Sequence, residues 1–198
     1  KGSLINKMFG EYEDKFSAYR VMLGYYMTIP GKKLMFMGGE IAQFIEWRFY
    51  EELEWKLLDF EKHRAFKDYV RDINEFYKEN KSLWELEQSW QGFKWINECD
   101  NENSVISFMR KGNRDTTIIV VNVTPVDRPI YKIGVPSAGE YEVVICSDDS
   151  KYGGTGKRTE YVYKAKKQQF SDMSHTIEIS IEGNTALYIK KRKKSKIS

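Results

Sequence analysis

The spacing of apolar side chains changes period once along this 198-residue chain, near residue 87. Before that point apolar residues return every three or four positions, with one short unbroken run. Beyond it they alternate, or cluster in short runs of β-branched and aromatic residues. The first period belongs to helices and the second to strands, and a single element cannot satisfy both. The chain is therefore expected to hold two parts, residues 1–86 and 87–198, with different architectures.

In the first part, Phe16, Tyr19, Leu23, Tyr26 and Met27 predict a helix over residues 11–28, stopped by Pro30-Gly31. Phe66, Tyr69, Val70, Ile73, Phe76 and Tyr77 predict a second helix over 61–79. Between them Leu34-Met35-Phe36-Met37 runs unbroken from Gly31 to Gly38-Gly39. That run predicts a strand buried on both faces, as in a parallel sheet. One parallel strand cannot form a sheet alone, so the first part is expected to be an incomplete α/β unit.

In the second part, β-rich runs at 93–96, 105–110, 118–123, 131–135, 141–146, 176–181 and 186–190 are separated by turn residues such as Pro125, Gly139 and Gly183-Asn184. Ile177, Ile179 and Ile181 alternate with Glu178 and Ser180, the pattern of a half-buried strand. Six or seven such strands predict an antiparallel sandwich.

Composition removes several classes. The formal net charge is +3, and residues 190–196 alone carry six positive charges, so the body is slightly acidic with a basic tail at 190–198. This is not a basic nucleic-acid-binding surface, and a solvated terminus is the plain reading of the tail. No apolar run approaches the ~20 residues of a membrane helix, and no signal peptide is visible. Cys99 and Cys146 are too few for a secreted disulfide framework and read as free thiols of a reducing compartment, which predicts a cytoplasmic protein. His63 and His175 have no neighbours at metal-ligand spacing, so no metal and no cofactor are expected. The run Gly153-Gly154-Thr155-Gly156-Lys157 lacks the Ser/Thr and upstream glycine of a phosphate loop and reads as a turn.

The strongest candidate site is the loop after the apolar run, with Glu40, Gln43, Glu46 and Trp47. Loops at the C-terminal ends of barrel strands build active sites, and Glu40 stands where a functional carboxylate would. The plain alternative is a structural turn with a solvated Glu40. Glu40 and Glu46 could be read as an acid and nucleophile pair for glycoside chemistry, but spacing alone does not fix their geometry. All five tryptophans (Trp47, Trp55, Trp84, Trp90, Trp95) fall within residues 47–95. They suit either stacking on sugar rings or packing at the joint between the two parts.

An ordered series of motifs resembles the carboxyl-side region of bacterial-type 1,4-α-glucan branching enzymes of the α-amylase superfamily. It runs from Lys1-Gly2-Ser3-Leu4 through Gly38-Gly39-Glu40-Ile41-Ala42-Gln43, Glu46-Trp47, Leu53-Glu54-Trp55, His63-Arg64, Asn122-Val123-Thr124-Pro125 and Tyr152-Gly153-Gly154. The resemblance implies that residues 1–86 are the last helix, strand and helix units of a (β/α)8 barrel and that 87–198 are the C-terminal antiparallel β-sandwich. It implies transfer of α-1,4-glucan chains to form α-1,6 branches, with retention, by carboxylates that do not map onto this chain. No catalytic residue is therefore carried over, and the chain alone is expected to be inactive. Glu40, Gln43 and Trp47 match the barrel-mouth loop and are expected to contact or support glucan. The implied partner is α-glucan, with a monomeric protein and no nucleic-acid or membrane partner; a free-standing, non-catalytic glucan-binding module is the alternative. Phe9-Gly10-Glu11 departs from the family's usual Pro-Gly-Asp, and Gly39, Ile41 and Arg48 replace other common residues.

Overall fold

A computed structural model describes residues 2–97 and 100–193. Two helices, α1 (Tyr12–Tyr26) and α2 (Glu61–Glu79), precede nine strands. The strands are β1 (Phe93–Asn97), β2 (Val105–Lys111), β3 (Thr116–Asn122), β4 (Arg128–Val135), β5 (Glu140–Cys146), β6 (Val162–Lys164), β7 (Lys166–Phe170), β8 (Met173–Ile181) and β9 (Thr185–Lys191). They form a six-stranded sheet in the order β1-β2-β3-β9-β5-β6 and a three-stranded sheet in the order β4-β8-β7. Every pairing among the described residues is antiparallel.

The molecule has three layers, and the sequence period reports them. In β3, Ile118 and Val120 join the core between the two sheets, while Ile119 and Val121 join the core under the helices. In β9, Leu187 and Ile189 face the smaller sheet and Ala186 and Tyr188 face the helices. Both strands are covered on both faces, so their apolar residues run unbroken. In β8, Ile177, Ile179 and Ile181 are buried while Glu178 is exposed, because the outer face of the smaller sheet meets water. β7 (Lys-Lys-Gln-Gln-Phe) is almost wholly exposed at that sheet's edge, where charge discourages pairing with other chains.

The helices close against the six-stranded sheet through polar anchors. Tyr188 Oη donates to the Gly24 carbonyl at 2.8 Å, and Tyr69 Oη to the Arg20 carbonyl at 3.0 Å. Arg20, almost fully buried, donates from Nε to the Ser147 carbonyl (2.7 Å) and lies 3.9 Å from the Asp148 carboxylate. Arg110 on β2 is 1% exposed and donates to three carbonyls: Thr28 (2.6 Å), Leu83 (2.8 Å) and Gly92 (3.2 Å). It fastens the end of α1 and the 81–92 connection to the sheet. A cation this deep needs several acceptors to replace its water.

Two expectations need correction. Residues 33–37 form no strand, and the run is not buried: Leu34 is 79% exposed and Phe36 and Met37 56%. No described strand lies alongside to supply a ladder. Instead the Tyr26 hydroxyl serves the Leu34 backbone, accepting from its N–H at 2.6 Å and donating to its carbonyl at 3.1 Å. The tryptophans, in turn, are not the joint. Trp55, Trp84, Trp90 and Trp95 are all exposed, Trp90 at 85%, and tyrosine and arginine make the joint instead. Cys146 is buried and free, and burial pushes its thiol up to about 11; Cys99 and residues 194–198 of the basic tail lie outside the described residues.

Candidate functional site

The loop at 38–47 turns twice through left-handed backbone, at Gly38 (φ +82°) and Ala42 (φ +54°). A Cβ on Gly38 would meet the Gln43 side chain at about 3.0 Å in a conformation side chains avoid, so the turn needs glycine there. The Gly38 carbonyl then accepts from Gln43 N at 3.0 Å. Gln43 is buried and spends both ends of its amide inside the loop: Nε2 donates to the Ile45 carbonyl (2.9 Å) and Oε1 accepts from Glu54 N (3.0 Å). It holds the loop in shape.

Trp47 is half-buried and stands edge-on to Phe36, ring centroids 5.5 Å apart. The two rings and Gln43 line a hollow of about 270 Å³, together with Tyr19, Glu46 and the chain at 2–5. Gly2 N donates to Glu46 Oε2 at 3.3 Å, tying the start of the described chain to the loop. Glu40 does not line the hollow. It is half-buried, and its charge reaches Tyr19, whose hydroxyl donates to the Gly39 carbonyl at 3.0 Å. Burial, and secondarily the Glu40 charge, push the Tyr19 hydroxyl well above its ordinary value and keep it a neutral donor.

Behind the loop, His63 is 1% exposed among the rings of Phe16, Phe44, Tyr12 and Phe60, with Nδ1 2.7 Å from the Ile41 carbonyl. It is a structural histidine that supports the loop's base. Among the described residues no group of three or more potential metal ligands occurs. Chemically, the hollow offers aromatic edges, the Glu46 carboxylate and backbone, with no activated nucleophile.

The structure thus gathers Gln43 and Trp47 around the hollow, and Glu40 is not among its lining residues. It adds Phe36 and Tyr19, which sequence reasoning placed in a strand and a helix without aiming them at the loop. The helical spacing of Tyr19 was legible; its aim at Gly39 depends on the loop's left-handed turns.

Comparison with known proteins bears on this geometry. Residues 95–192 match the family described as the alpha amylase C-terminal all-beta domain. The whole chain is 44% identical over 192 residues to the 1,4-alpha-glucan branching enzyme GlgB of Halothermothrix orenii, covering 96% of this chain and 30% of that enzyme. This chain is homologous to the carboxyl-terminal portion of GlgB branching enzymes. It spans less than a third of their length. Among solved structures, the alpha-amylase of Geobacillus thermoleovorans, complexed with acarbose, superposes with a TM-score of 0.58 at 19% identity, covering 91% of this chain and 34% of that one. A cyclomaltodextrinase superposes at 0.63 and 12% identity, covering 96% and 28%. At such identities the likeness speaks for the fold, and the antiparallel sheets are those of the alpha-amylase C-terminal domain. No helix of the described residues is long and apolar enough to cross a membrane.

Proposed function

We propose that this chain is the carboxyl-terminal part of a 1,4-α-glucan branching enzyme: residues 1–86 the last units of a (β/α)8 barrel, residues 87–198 its β-sandwich. The observation that carries the proposal is the 44% identity sustained over 96% of the chain against GlgB. The exposed run Leu34-Met35-Phe36-Met37 supports the barrel reading, since a strand that belongs between neighbours shows this composition and this exposure when they are missing. On this reading the reaction is retaining transfer of an α-1,4-glucan segment onto a 6-hydroxyl, in which a carboxylate nucleophile and an acid/base carboxylate act in turn. Neither is assigned to this chain, and the 198 residues do not branch glucan by themselves. The enzyme acts on α-glucan as a cytoplasmic monomer, without cofactor.

Within this frame, Trp47 offers an indole face to a sugar ring. Gln43 fixes the loop that carries Trp47, and Glu40 supports its base beside Tyr19. Incubating the chain with amylose and following iodine absorbance is expected to show no change; formation of α-1,6 branches by these residues alone would overturn the inactive-fragment reading. Affinity electrophoresis through glycogen gels tests the site, with retardation reduced by Trp47→Ala. A second reading, a free-standing glucan-binding module, is favoured by the 85% exposure of Trp90. It takes over if retardation survives Trp47→Ala and is lost in Trp90→Ala.

A further inference from the structure

A cavity of about 960 Å³ lies at one end of the six-stranded sheet, and no residue of the 38–47 loop lines it. Its walls follow from topology. Because β3 and β5 both run antiparallel to β9, the first residues of β3 and β5 flank the last residues of β9, and the turn at 136–139 covers the opening from the side of the smaller sheet. Ile118 and Ile189 lie buried beneath it, and the exposed Pro136 and Ala138 of the turn supply its apolar surface.

The rim is cationic: Arg114, Lys190, Lys191, Arg192 and Lys193 all line the cavity. Two of these are already engaged. Lys190 pairs with Asp115 at 2.6 Å, and Arg192 pairs with Glu140 at 3.2 Å and Glu142 at 3.5 Å. That uses the carboxylates at this end of the sheet. Lys191 donates only to the neutral Ser137 hydroxyl, at 3.0 Å, and Arg114, Lys191 and Lys193 have no ion-pair partner among the described residues. Strand alternation aims the charges. Lys190 lies over the Phe76 ring on the helix side, so Lys191 points to the opposite side, toward the turn that covers the cavity.

Three uncompensated cations around a concave space raise the local concentration of anions. We propose that this cavity binds a phosphate-bearing small molecule. The volume fits a small organic ligand. The Arg114 fork can take two phosphate oxygens at once, and the Ser137 and Thr116 hydroxyls add neutral donors. The exposed Pro136 and Ala138 of the turn give the organic body of an ester an apolar surface to rest on. A nucleic-acid strand fits less well, because the one ring in the wall, Tyr141, is 1% exposed and presents no stacking face.

Titration calorimetry on the full 198-residue chain tests this with inorganic phosphate, glucose 6-phosphate and ADP. Saturable binding is expected, weakened about tenfold by Arg114→Ala combined with Lys191→Ala. Lys94→Ala, outside the cavity and paired with Asp172, should leave it unchanged. Both substituted side chains are exposed, so the double variant should keep the parent's thermal melt. ADP tighter than glucose 6-phosphate assigns a nucleoside diphosphate and the reverse a sugar phosphate; either supports the phosphate site. No saturable binding of any probe, binding that survives the double substitution, or binding confined to a single-stranded oligonucleotide overturns it.

Discussion

Arg110 stands out among single residues because one guanidinium satisfies three carbonyls, one at the end of α1 and two in the 81–92 connection. Burial works against its charge, and Glu87 is the largest compensating influence. Arg110→Met would fill similar volume yet leave three acceptors without a donor. Each stranded buried acceptor costs about 1–3 kcal/mol, so a loss of about 3 kcal/mol in urea denaturation is expected even if water reaches one of them. Lys33 makes a second residue-scale prediction. Burial first, and Arg110 second, lower its ammonium to about 8, well below its ordinary value. With a depressed folded value, the unfolded chain holds the extra proton between about pH 8 and 10.5, so stability should rise with pH across that window. Lys33→Met should flatten that slope in denaturation curves taken from about pH 7.5 to about pH 10. Neither role was legible in the sequence. Lys33 reads as an ordinary surface lysine, and Arg110 stands near the end of a mainly apolar strand; only the third dimension brings Thr28, Leu83 and Gly92 to it.

Elements meet most closely where α1 crosses β9. A Cβ added at Gly24 would lie 2.7 Å from both the Ala186 Cβ and the Tyr69 hydroxyl. Two effects compete in Gly24→Ala. Helix propensity favours alanine by about 1 kcal/mol, whereas overpacking costs roughly 1–3 kcal/mol and also disturbs the Tyr188 bond to the Gly24 carbonyl. The steric term should win, lowering the thermal midpoint. The predicted helix over 61–79 coincides with α2, because His63, Phe66, Tyr69, Val70 and Ile73 make one clean stripe. β6 and β7 went unseen for the opposite reason: one is three residues long and the other is Lys-Lys-Gln-Gln-Phe, with no apolar alternation to detect. The 33–37 run misled because composition reports the environment a segment is suited to, while a strand exists only with partners to complete its hydrogen bonds. Likewise, the loop at 38–47 announced itself through its glycines and Trp47, but the inward turn of Gln43 depends on left-handed backbone at Gly38 and Ala42.

At the scale of the molecule, the change of period near residue 87 separates two kinds of secondary structure but not two cores. Phe108, Ile119, Val121, Ile145, Ala186 and Tyr188 of the sheet share one apolar cluster with Phe16, Leu23, Phe66 and Ile73 of the helices. A chain shortened to 87–198 would bare that sheet face. It should bind the dye ANS and associate at micromolar concentration where the full chain does not, as scattering and sedimentation would show. If the shortened chain stays monomeric and dye-silent, the helices are dispensable lids. The antiparallel sandwich itself was legible because seven of its strands carry β-branched runs, and turn residues mark most of the boundaries between them.

The tyrosine and arginine anchors across this interface have a practical bearing on protein recombination. Anyone exchanging the β-sheet part between this chain and its relatives would naturally cut where helix gives way to strand. Such a graft would pair the recipient's α1 with a foreign β9, and the fit of Gly24 against Ala186 and Tyr188 would be lost at the splice. Moving the two helices together with the sheet they cover keeps the matched surfaces in one piece, which places the natural crossover point ahead of Tyr12.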